Sequence, residues 1–317
     1  MGRNLITGGL GFIGYHLTNL LLDQGEEVVI FDVAGSSRLF RDIQDRVTLI
    51  RGDVSNWSLV LDAVRTSEAD CIFHAGAMLP PGSEQNPQAA FSINVNGTYN
   101  VLEAARMFDV KSFMFISTLA TYGRDVPAVV PNDAAQHPVN MYGVTKVCGE
   151  RLGEYYHRRF GVNFRGVRLP PILGMGRLDS AQSAYIYKSG QEAAMGRPYS
   201  LYVEPDTSIA ILYVKDAAWG LYDLKNATED KLSTRIYNLY GLTATGQGLV
   251  DAIRKTIPDA ALDFQPDAQQ IQLVHNLPER LDDAEARRDW GWAPRYSLDE
   301  AVADYVKDVK SRRDIYG

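Results

Sequence analysis

The chain is poor in cysteine, with only Cys71 and Cys148 among its 317 residues. That scarcity excludes a disulfide framework and fits a reducing compartment. Cys71 stands in the apolar run Asp70-Cys71-Ile72-Phe73 and reads as a buried strand residue; Cys148 falls in a helical pattern. Long apolar runs are missing too. None approaches the roughly 20 residues that a membrane-spanning helix needs, so no membrane partner is expected. The first apolar segment begins almost at Met1, which leaves no room for a secretory leader and makes the cytoplasm the expected location. Positive charge is in deficit. A formal net charge of −7, with no basic cluster interleaved with aromatics, argues against nucleic acid as a partner. The basic group Lys310 to Arg313 reads as a solvated helix end. The five histidines show no metal-ligand spacing, so no metal is expected. Internal repeats and low-complexity segments are absent as well.

What is present is an alternating pattern. Apolar strand segments lie at 3–7, 27–32, 47–51, 70–75, 112–117 and 162–168, with helical patterns at 14–24, 56–66, 87–108 and 140–160 between them. Such alternation predicts a doubly wound parallel sheet of α/β class with helices on both faces. Several strands are apolar throughout, as strands covered on both faces should be. The pattern changes after Arg168, where Pro170-Pro171 breaks the chain. A helix is expected at 181–195, a strand at 199–203, a helix at 246–256, a strand near 261–265 and a last helix at 297–312. Residues 1–170, rejoined by 209–240, should form a Rossmann-type dinucleotide-binding domain. Residues 171–208 and 241–317 should form a smaller α/β substrate lobe.

The first thirty-two residues carry the sharpest signal. The strand Arg3-Asn4-Leu5-Ile6 runs into Thr7-Gly8-Gly9-Leu10-Gly11-Phe12-Ile13-Gly14; a helix follows, then a second strand, Val28-Val29-Ile30-Phe31, ends at Asp32. In this arrangement Gly8 allows a tight turn, Gly11 lets the backbone approach a pyrophosphate, and Gly14 lets the helix pack closely. The first helical amides, around Phe12 and Ile13, face the phosphates at the positive end of the helix dipole. Asp32 can accept bonds from both ribose hydroxyls and repels a 2′-phosphate. The expected cofactor is therefore NAD, not NADP.

A second signal is Tyr142-Gly143-Val144-Thr145-Lys146. Residues four apart share one helix face. Lys146 can bond a nicotinamide ribose and bring a positive charge near the Tyr142 hydroxyl, which together with the charge of oxidised nicotinamide should lower its pKa. Tyr142 then serves as general base in alcohol oxidation and as general acid in the reverse direction. The segment Phe115-Ile116-Ser117-Thr118 ends a strand with two hydroxyls. Thr118 is expected to bond the substrate oxygen opposite Tyr142, with Ser117 as the alternative. A cofactor-sensing regulator without catalysis typically loses the Tyr–Lys pair, which is present here.

With these residues on the page, the chain resembles the extended short-chain dehydrogenase/reductases, the NAD-dependent epimerase/dehydratase family. Residues 7–14 match its T-G-x-x-G-x-x-G, and Gly52-Asp53-Val54 its adenine-contacting G-D-x. Phe73-His74-Ala75-Gly76-Ala77 matches H-x-A-A, with Gly76 departing; Asn94-Val95-Asn96-Gly97-Thr98 matches N-V-x-G-T. Residues 117–123 match S-S-x-x-V-Y-G, with Thr118 and Thr121 departing. The resemblance implies cofactor contacts from Asp53, Val54, His74, Ala75, Gly76 and Asn94, and from Leu169 and Pro170 after the sixth strand. It also implies a homodimer, built by pairing the helices at about 90–108 and 142–160 into a four-helix bundle.

Two substrate classes stay open. Sugar-nucleotide enzymes of the family carry R-Y-F-N where this chain has Arg168-Leu169-Pro170-Pro171, and an arginine in a later strand where 207–214 has none. The last third is similar to short-chain-type L-threonine dehydrogenases, in Ile257-Pro258-Asp259 and in Asp289-Trp290-Gly291-Trp292. Yet Pro80 replaces an expected serine, and Leu178-Asp179 stands where paired threonines belong. The expected substrate is a small hydroxylated acid, amino alcohol or sugar; a sugar nucleotide with tightly held NAD is the alternative. Met78, Pro80, Thr118, Pro171 and Tyr185 are the expected substrate contacts.

Overall fold

Strand residues of this chain alternate strictly between two cores. Leu5, Val29, Ile72, Phe113 and Phe115 belong to one buried cluster, whereas their neighbours Ile6, Val28, Phe73, Met114 and Ile116 belong to the other. Successive side chains of a strand point to opposite faces, so one sheet with both faces covered accounts for the pattern. The computed structural model describes residues 2–124, 126–177, 183–275 and 277–316. Seven strands form the sheet: β1 (Arg3–Thr7), β2 (Glu27–Asp32), β3 (Thr48–Arg51), β4 (Cys71–His74), β5 (Ser112–Thr118), β6 (Phe164–Leu169) and β7 (Ile236–Asn238). Their order is β7-β6-β5-β4-β1-β2-β3 and every pairing is parallel. The strand order reverses between β1 and β4, and a sheet of this kind leaves a crevice at that point beyond its carboxyl ends.

Helices cover both faces. Helix α1 (Phe12–Asp23) and helix α5 (Val214–Asn226) contribute Leu17, Leu21, Ala217 and Leu221 to one core. On the other face, α2 (Trp57–Ser67), α3 (Gly97–Met107) and α4 (Met141–Phe160) contribute Val60, Val64, Val101, Leu102 and Tyr156. The helix expected over 87–108 is not continuous. Pro87–Phe91 is helical, Ser92–Asn96 forms a π-helical turn, and α3 follows. Such widened turns often occur at functional sites.

The second lobe holds a three-stranded sheet. Ser208–Tyr213 runs parallel to Ile172–Leu173 and antiparallel to Leu242–Thr245. This corrects the expectation that residues 209–240 rejoin the dinucleotide-binding domain as one block. Ile209 to Tyr213 are all buried at the centre of the second sheet, and only α5 and β7 rejoin the first lobe. Strand β7 lies outside the expected strands, because three residues, one of them Asn238, carry too short a pattern. The helices Tyr185–Ala194, Gly246–Thr256 and Leu298–Ser311 and the paired strands Tyr199–Leu201 and Leu262–Phe264 complete the lobe. One hydrophobic cluster runs from Leu17 and Ile30 through Tyr213 to Tyr305, so the lobes share a core.

Candidate active site

A cleft of about 600 Å³ opens beyond β1 and β4, between the lobes. At one end lies the glycine turn. Gly8 has φ +65°, and a Cβ there would stand 2.5 Å from Gly76 Cα. A Cβ on Gly14 would stand 2.2 Å from Gly9 O. Its smallness therefore lets the start of α1 close onto the turn. Gly11 caps α1 without any side-chain bond. The first amides of α1 have no intrahelical partner and carry the positive dipole end; Phe12 and Ile13 line the cleft here. Asp32 lies at the tip of β2. Its Oδ2 accepts from Leu10 N at 3.0 Å and its Oδ1 from Ala34 N at 2.9 Å. Each carboxylate oxygen has a further lone pair for a diol. Asp53 Oδ1 accepts from both the amide and the hydroxyl of Ser55, each at 2.8 Å. An uncapped helix start and a rim carboxylate fit the pyrophosphate and ribose of a dinucleotide.

At the other end, Asn140 caps α4 by accepting from Gly143 N at 2.7 Å. Gly143 lies so close to the turn after β5 that a Cβ would stand 2.4 Å from Ala120 O. That approach brings Tyr142, in the first turn of α4, to the same cleft wall as Thr118. Lys146, one turn on, donates to Ile116 O at 2.7 Å, with its Nζ 5.8 Å from the Tyr142 ring centroid. Burial pulls Lys146 down to about 8, opposed by the Glu150 carboxylate. Burial likewise pushes the Tyr142 phenol above its usual value, and the charge that opposes this is Arg177. The expectation that Lys146 lowers the Tyr142 pKa is thus not met by the protein alone; Lys146 is engaged with a backbone carbonyl instead.

The two hydroxyls at the end of β5 differ. Ser117 Oγ donates to Glu150 Oε1 at 2.5 Å. Glu150 is fully buried and paired bidentately with Arg168, at 2.9 and 2.8 Å. Arg168 also donates to the Tyr122 hydroxyl at 2.6 Å and to Asn132 O at 2.7 Å. Ser117 is therefore tied into a buried network. Thr118 Oγ1 accepts from Ala120 N at 3.2 Å, which leaves its own proton to give.

Most residues singled out from the sequence line this cleft. Gly8, Gly11, Gly14, Asp32, Asp53, Val54, Ala75 and Gly76 line the dinucleotide end. Met78, Pro80, Ser117, Thr118, Tyr142, Lys146, Leu169, Pro170 and Pro171 line the other end. Three do not. His74 is fully buried, with Nδ1 2.7 Å from Thr7 Oγ1 and Nε2 3.0 Å from Thr98 Oγ1. Burial pulls it down to about 3, so it is a neutral tie between β1, β4 and α3. Asn94 is buried in the π-helical turn; it accepts from Met78 N at 2.6 Å and donates to Met78 O at 3.0 Å and Thr145 Oγ1 at 2.9 Å. It holds the loop that lines the cleft. Tyr185 packs edge-on against Tyr202, ring centroids 5.5 Å apart, inside the second lobe. The Leu178-Asp179 positions lie outside the described residues. Sequence reasoning missed Asn140, Ser183 and Leu277 as lining residues. The helix-cap rule could have found Asn140, directly before the Tyr–Lys helix; nothing local marks Ser183 or Leu277.

Fold and cleft together define a doubly wound α/β protein with a Tyr–Lys pair and a hydroxyl-ended strand at the crevice. The chain belongs to the NAD-dependent epimerase/dehydratase family, whose sequence profile matches residues 4–239. It is 32% identical to an uncharacterized epimerase/dehydratase of Staphylococcus haemolyticus, over 98% of this chain and 99% of that one. Among solved structures, L-threonine dehydrogenase from Clostridium difficile superposes with a TM-score of 0.91 at 30% identity, covering 99% of both chains. The GalE-like L-threonine dehydrogenase of Cupriavidus necator, holo form, gives 0.90 at 29%, covering 97% of this chain and 100% of that one. A UDP-glucose 4-epimerase of Thermotoga maritima gives 0.85 at 20% over 98% and 99%, a likeness of fold.

Proposed function

We propose that the protein is an NAD-dependent oxidoreductase acting on a secondary alcohol or ketone of a small hydroxylated substrate. The observation that carries the reading is the meeting of Tyr142, Thr118 and Lys146 on one wall of a cleft whose other end suits a dinucleotide. Bound NAD supplies the hydride acceptor. The chain does the rest. Thr118 donates to the substrate oxygen and fixes its position. Tyr142 removes the hydroxyl proton during oxidation and returns it during reduction. Lys146 would hold the nicotinamide ribose, and its charge beside Tyr142 would favour the phenolate. Asp32 favours NAD over NADP through the ribose diol. His74 stays neutral and structural.

The small-substrate reading rests on charge. A diphosphate is best held by bidentate arginine pairs. Among the described residues lining the cleft the only lysine or arginine besides Lys146 is Arg177, and the strand Ser208–Tyr213 carries none. A thermal-shift panel with NAD present tests it. A ligand at 100 times its Kd stabilises by about 2.7 kcal/mol. Small hydroxy acids or L-threonine should shift the melt; a shift with UDP- or GDP-sugars alone would replace this reading with a sugar-nucleotide epimerase or dehydratase.

The same reading includes a homodimer. Helices α3 and α4 expose Tyr99, Met107, Val144, Tyr155 and Phe160, apolar surface that neither core uses. Packing these helices against a second copy would bury it.

A further inference from the structure

Helix α4 meets the sheet through two glycines. A Cβ on Gly149 would stand 2.5 Å from the Phe115 ring, and one on Gly153 would stand 2.1 Å from the Phe164 ring. Apolar contacts of this kind are non-directional. They hold the helix down without fixing where along β5 and β6 it sits. Between the two glycines stands Glu150, fully buried behind the cleft wall. Its Oε1 accepts from Ser117 Oγ of β5 at 2.5 Å and from Arg168 Nε of β6 at 2.9 Å. Its Oε2 accepts from Arg168 Nη2 and from Gln136 Nε2, both at 2.8 Å. We propose that Glu150 is a positioning residue for the reaction: it locks α4 to the ends of β5 and β6 and thereby sets Tyr142 and Lys146 against Thr118. The inference rests on the oxidoreductase reading and adds a residue that acts through these three.

Three observations support it. First, the clamp grips the strand at the reacting groups. Ser117 stands between Ile116, whose carbonyl accepts from Lys146 Nζ at 2.7 Å, and Thr118, which lines the cleft. Any slip of α4 along β5 therefore displaces the lysine and the tyrosine from the threonine together. Second, the far side of the clamp is itself anchored. Arg168 Nη1 donates to the Tyr122 hydroxyl at 2.6 Å and to Asn132 O at 2.7 Å, and the Tyr122 hydroxyl donates to Asn238 Oδ1 of β7 at 2.6 Å. The guanidinium is thus held in place when the carboxylate pairs with it, and a planar fork on a planar carboxylate fixes direction as well as distance. Third, Glu150 reaches Lys146 by charge, one helical turn away. Burial pulls the amine down, and the Glu150 carboxylate is what opposes it. The other titratable groups facing that amine are Tyr142 of α4, a neutral phenol with its ring centroid 5.8 Å from Nζ, and His74 of β4, held neutral by burial. Around Glu150 itself the charged groups are Arg168 of β6 and Arg151 of α4, whose Nη2 lies 3.9 Å away.

The experiment compares Glu150→Gln, which keeps the size and loses the charge, with Glu150→Asp, which keeps the charge and shortens the arm. Turnover is followed as NAD reduction with L-threonine or 3-hydroxybutyrate, or as epimerisation of UDP-glucose, whichever the unaltered protein performs. NADH affinity is titrated by fluorescence across the range in which Lys146 loses its charge. In both variants kcat should fall by about ten- to a hundred-fold, the usual cost of a small misplacement, while KM stays nearly level. The pH midpoint of NADH affinity should drop by about one unit in Glu150→Gln and stay in place in Glu150→Asp, because a nearby carboxylate favours the ammonium. An unchanged kcat in Glu150→Gln, in protein whose near-ultraviolet dichroism matches the parent, makes the carboxylate a packing element and overturns the inference. A loss carried by KM, or a midpoint that does not move in Glu150→Gln, overturns it as well. Where Glu150→Gln fails to fold, Ser117→Ala cuts one arm of the clamp and leaves the ion pair; kcat should again fall, and an unchanged value overturns the inference. Should the unaltered protein act on none of the three probes, the function proposed above loses its support, while the NADH midpoint still decides whether Glu150 acts on Lys146.

Discussion

Tyr142 has two opposing influences on its phenol: burial raises its pKa and the Arg177 charge lowers it, with burial the larger. The protein alone therefore keeps Tyr142 protonated at neutral pH, which suits it as a general acid. In alcohol oxidation it must first lose that proton. The rate of oxidation should accordingly rise from pH 6 to pH 7.5, below the range in which Lys146 loses its charge, while the rate of reduction stays level over the same range; initial rates in both directions check this. Replacing Tyr142 by Phe removes the proton carrier and leaves the ring. Turnover should fall by a factor on the order of 10² to 10⁴, with NADH fluorescence titration nearly unchanged. A Phe variant of normal activity would refute the assigned chemistry. Behind this residue, Glu150 is buried against Arg168 and Ser117. Glu150→Ala leaves the guanidinium buried without its counter-charge, a loss of about 3–5 kcal/mol. Urea unfolding would register it, and Ser117 would lose the acceptor that holds it away from substrate.

At the scale of elements, one glycine and one asparagine set the shape of the cleft. Helix α1 seats on the glycine turn only because Gly14 has no side chain; its methyl variant would meet Gly9 O at 2.2 Å. Gly14→Ala should displace the helix start from the pyrophosphate position and weaken NADH binding at least ten-fold, read by fluorescence titration. The π-helical turn Ser92–Asn96 has a comparable task on the substrate side. Through Asn94 it bonds both the N–H and the C=O of Met78 and reaches α4 at Thr145. One side chain thus couples the loop after β4 to the helix that carries Tyr142 and Lys146. Asn94→Ala should raise KM for substrate more than it lowers kcat, because it loosens a wall and leaves the reacting groups in place. A pure kcat effect would show that Asn94 acts on the chemistry directly.

Over the whole molecule, the last turn of the chain joins parts that are distant in sequence. Arg312 donates to Arg38 O at 2.7 Å, on the segment after β2, while Tyr316 accepts from Gly176 N on the loop of the second lobe. The two ends of the cleft are thereby tied to one C-terminal segment. The apolar faces of α3 and α4 set the other molecular feature. Sedimentation at micromolar concentration should show a dimer, and Tyr99→Glu with Tyr155→Glu should give a folded monomer. A monomeric parent protein would remove the four-helix-bundle arrangement.

The sequence by itself determined the parallel sheet, the glycine turn, Asp32 and the Tyr142–Lys146 pair. All of these rest on short-range rules: period-two and period-3.6 burial, helix starts, and residues four apart on one face. Their outcome hardly depends on what packs against them. Tertiary structure decided the rest. Whether Ser117 or Thr118 faces the cleft depends on Glu150, thirty-three positions away in the chain, which takes the Ser117 proton. His74 and Asn94 occupy motif positions, yet their partners Thr7, Thr98, Met78 and Thr145 come from other elements and turn them into ties. Strand Ser208–Tyr213 has the composition of a main-sheet strand; its pairing with Ile172–Leu173 places it in the second lobe. Arg177 shows the reason most plainly. A single arginine after a glycine carries no local pattern, and it becomes the charge beside Tyr142 only when α1, the segment 38–40 and the C-terminal turn close around its loop.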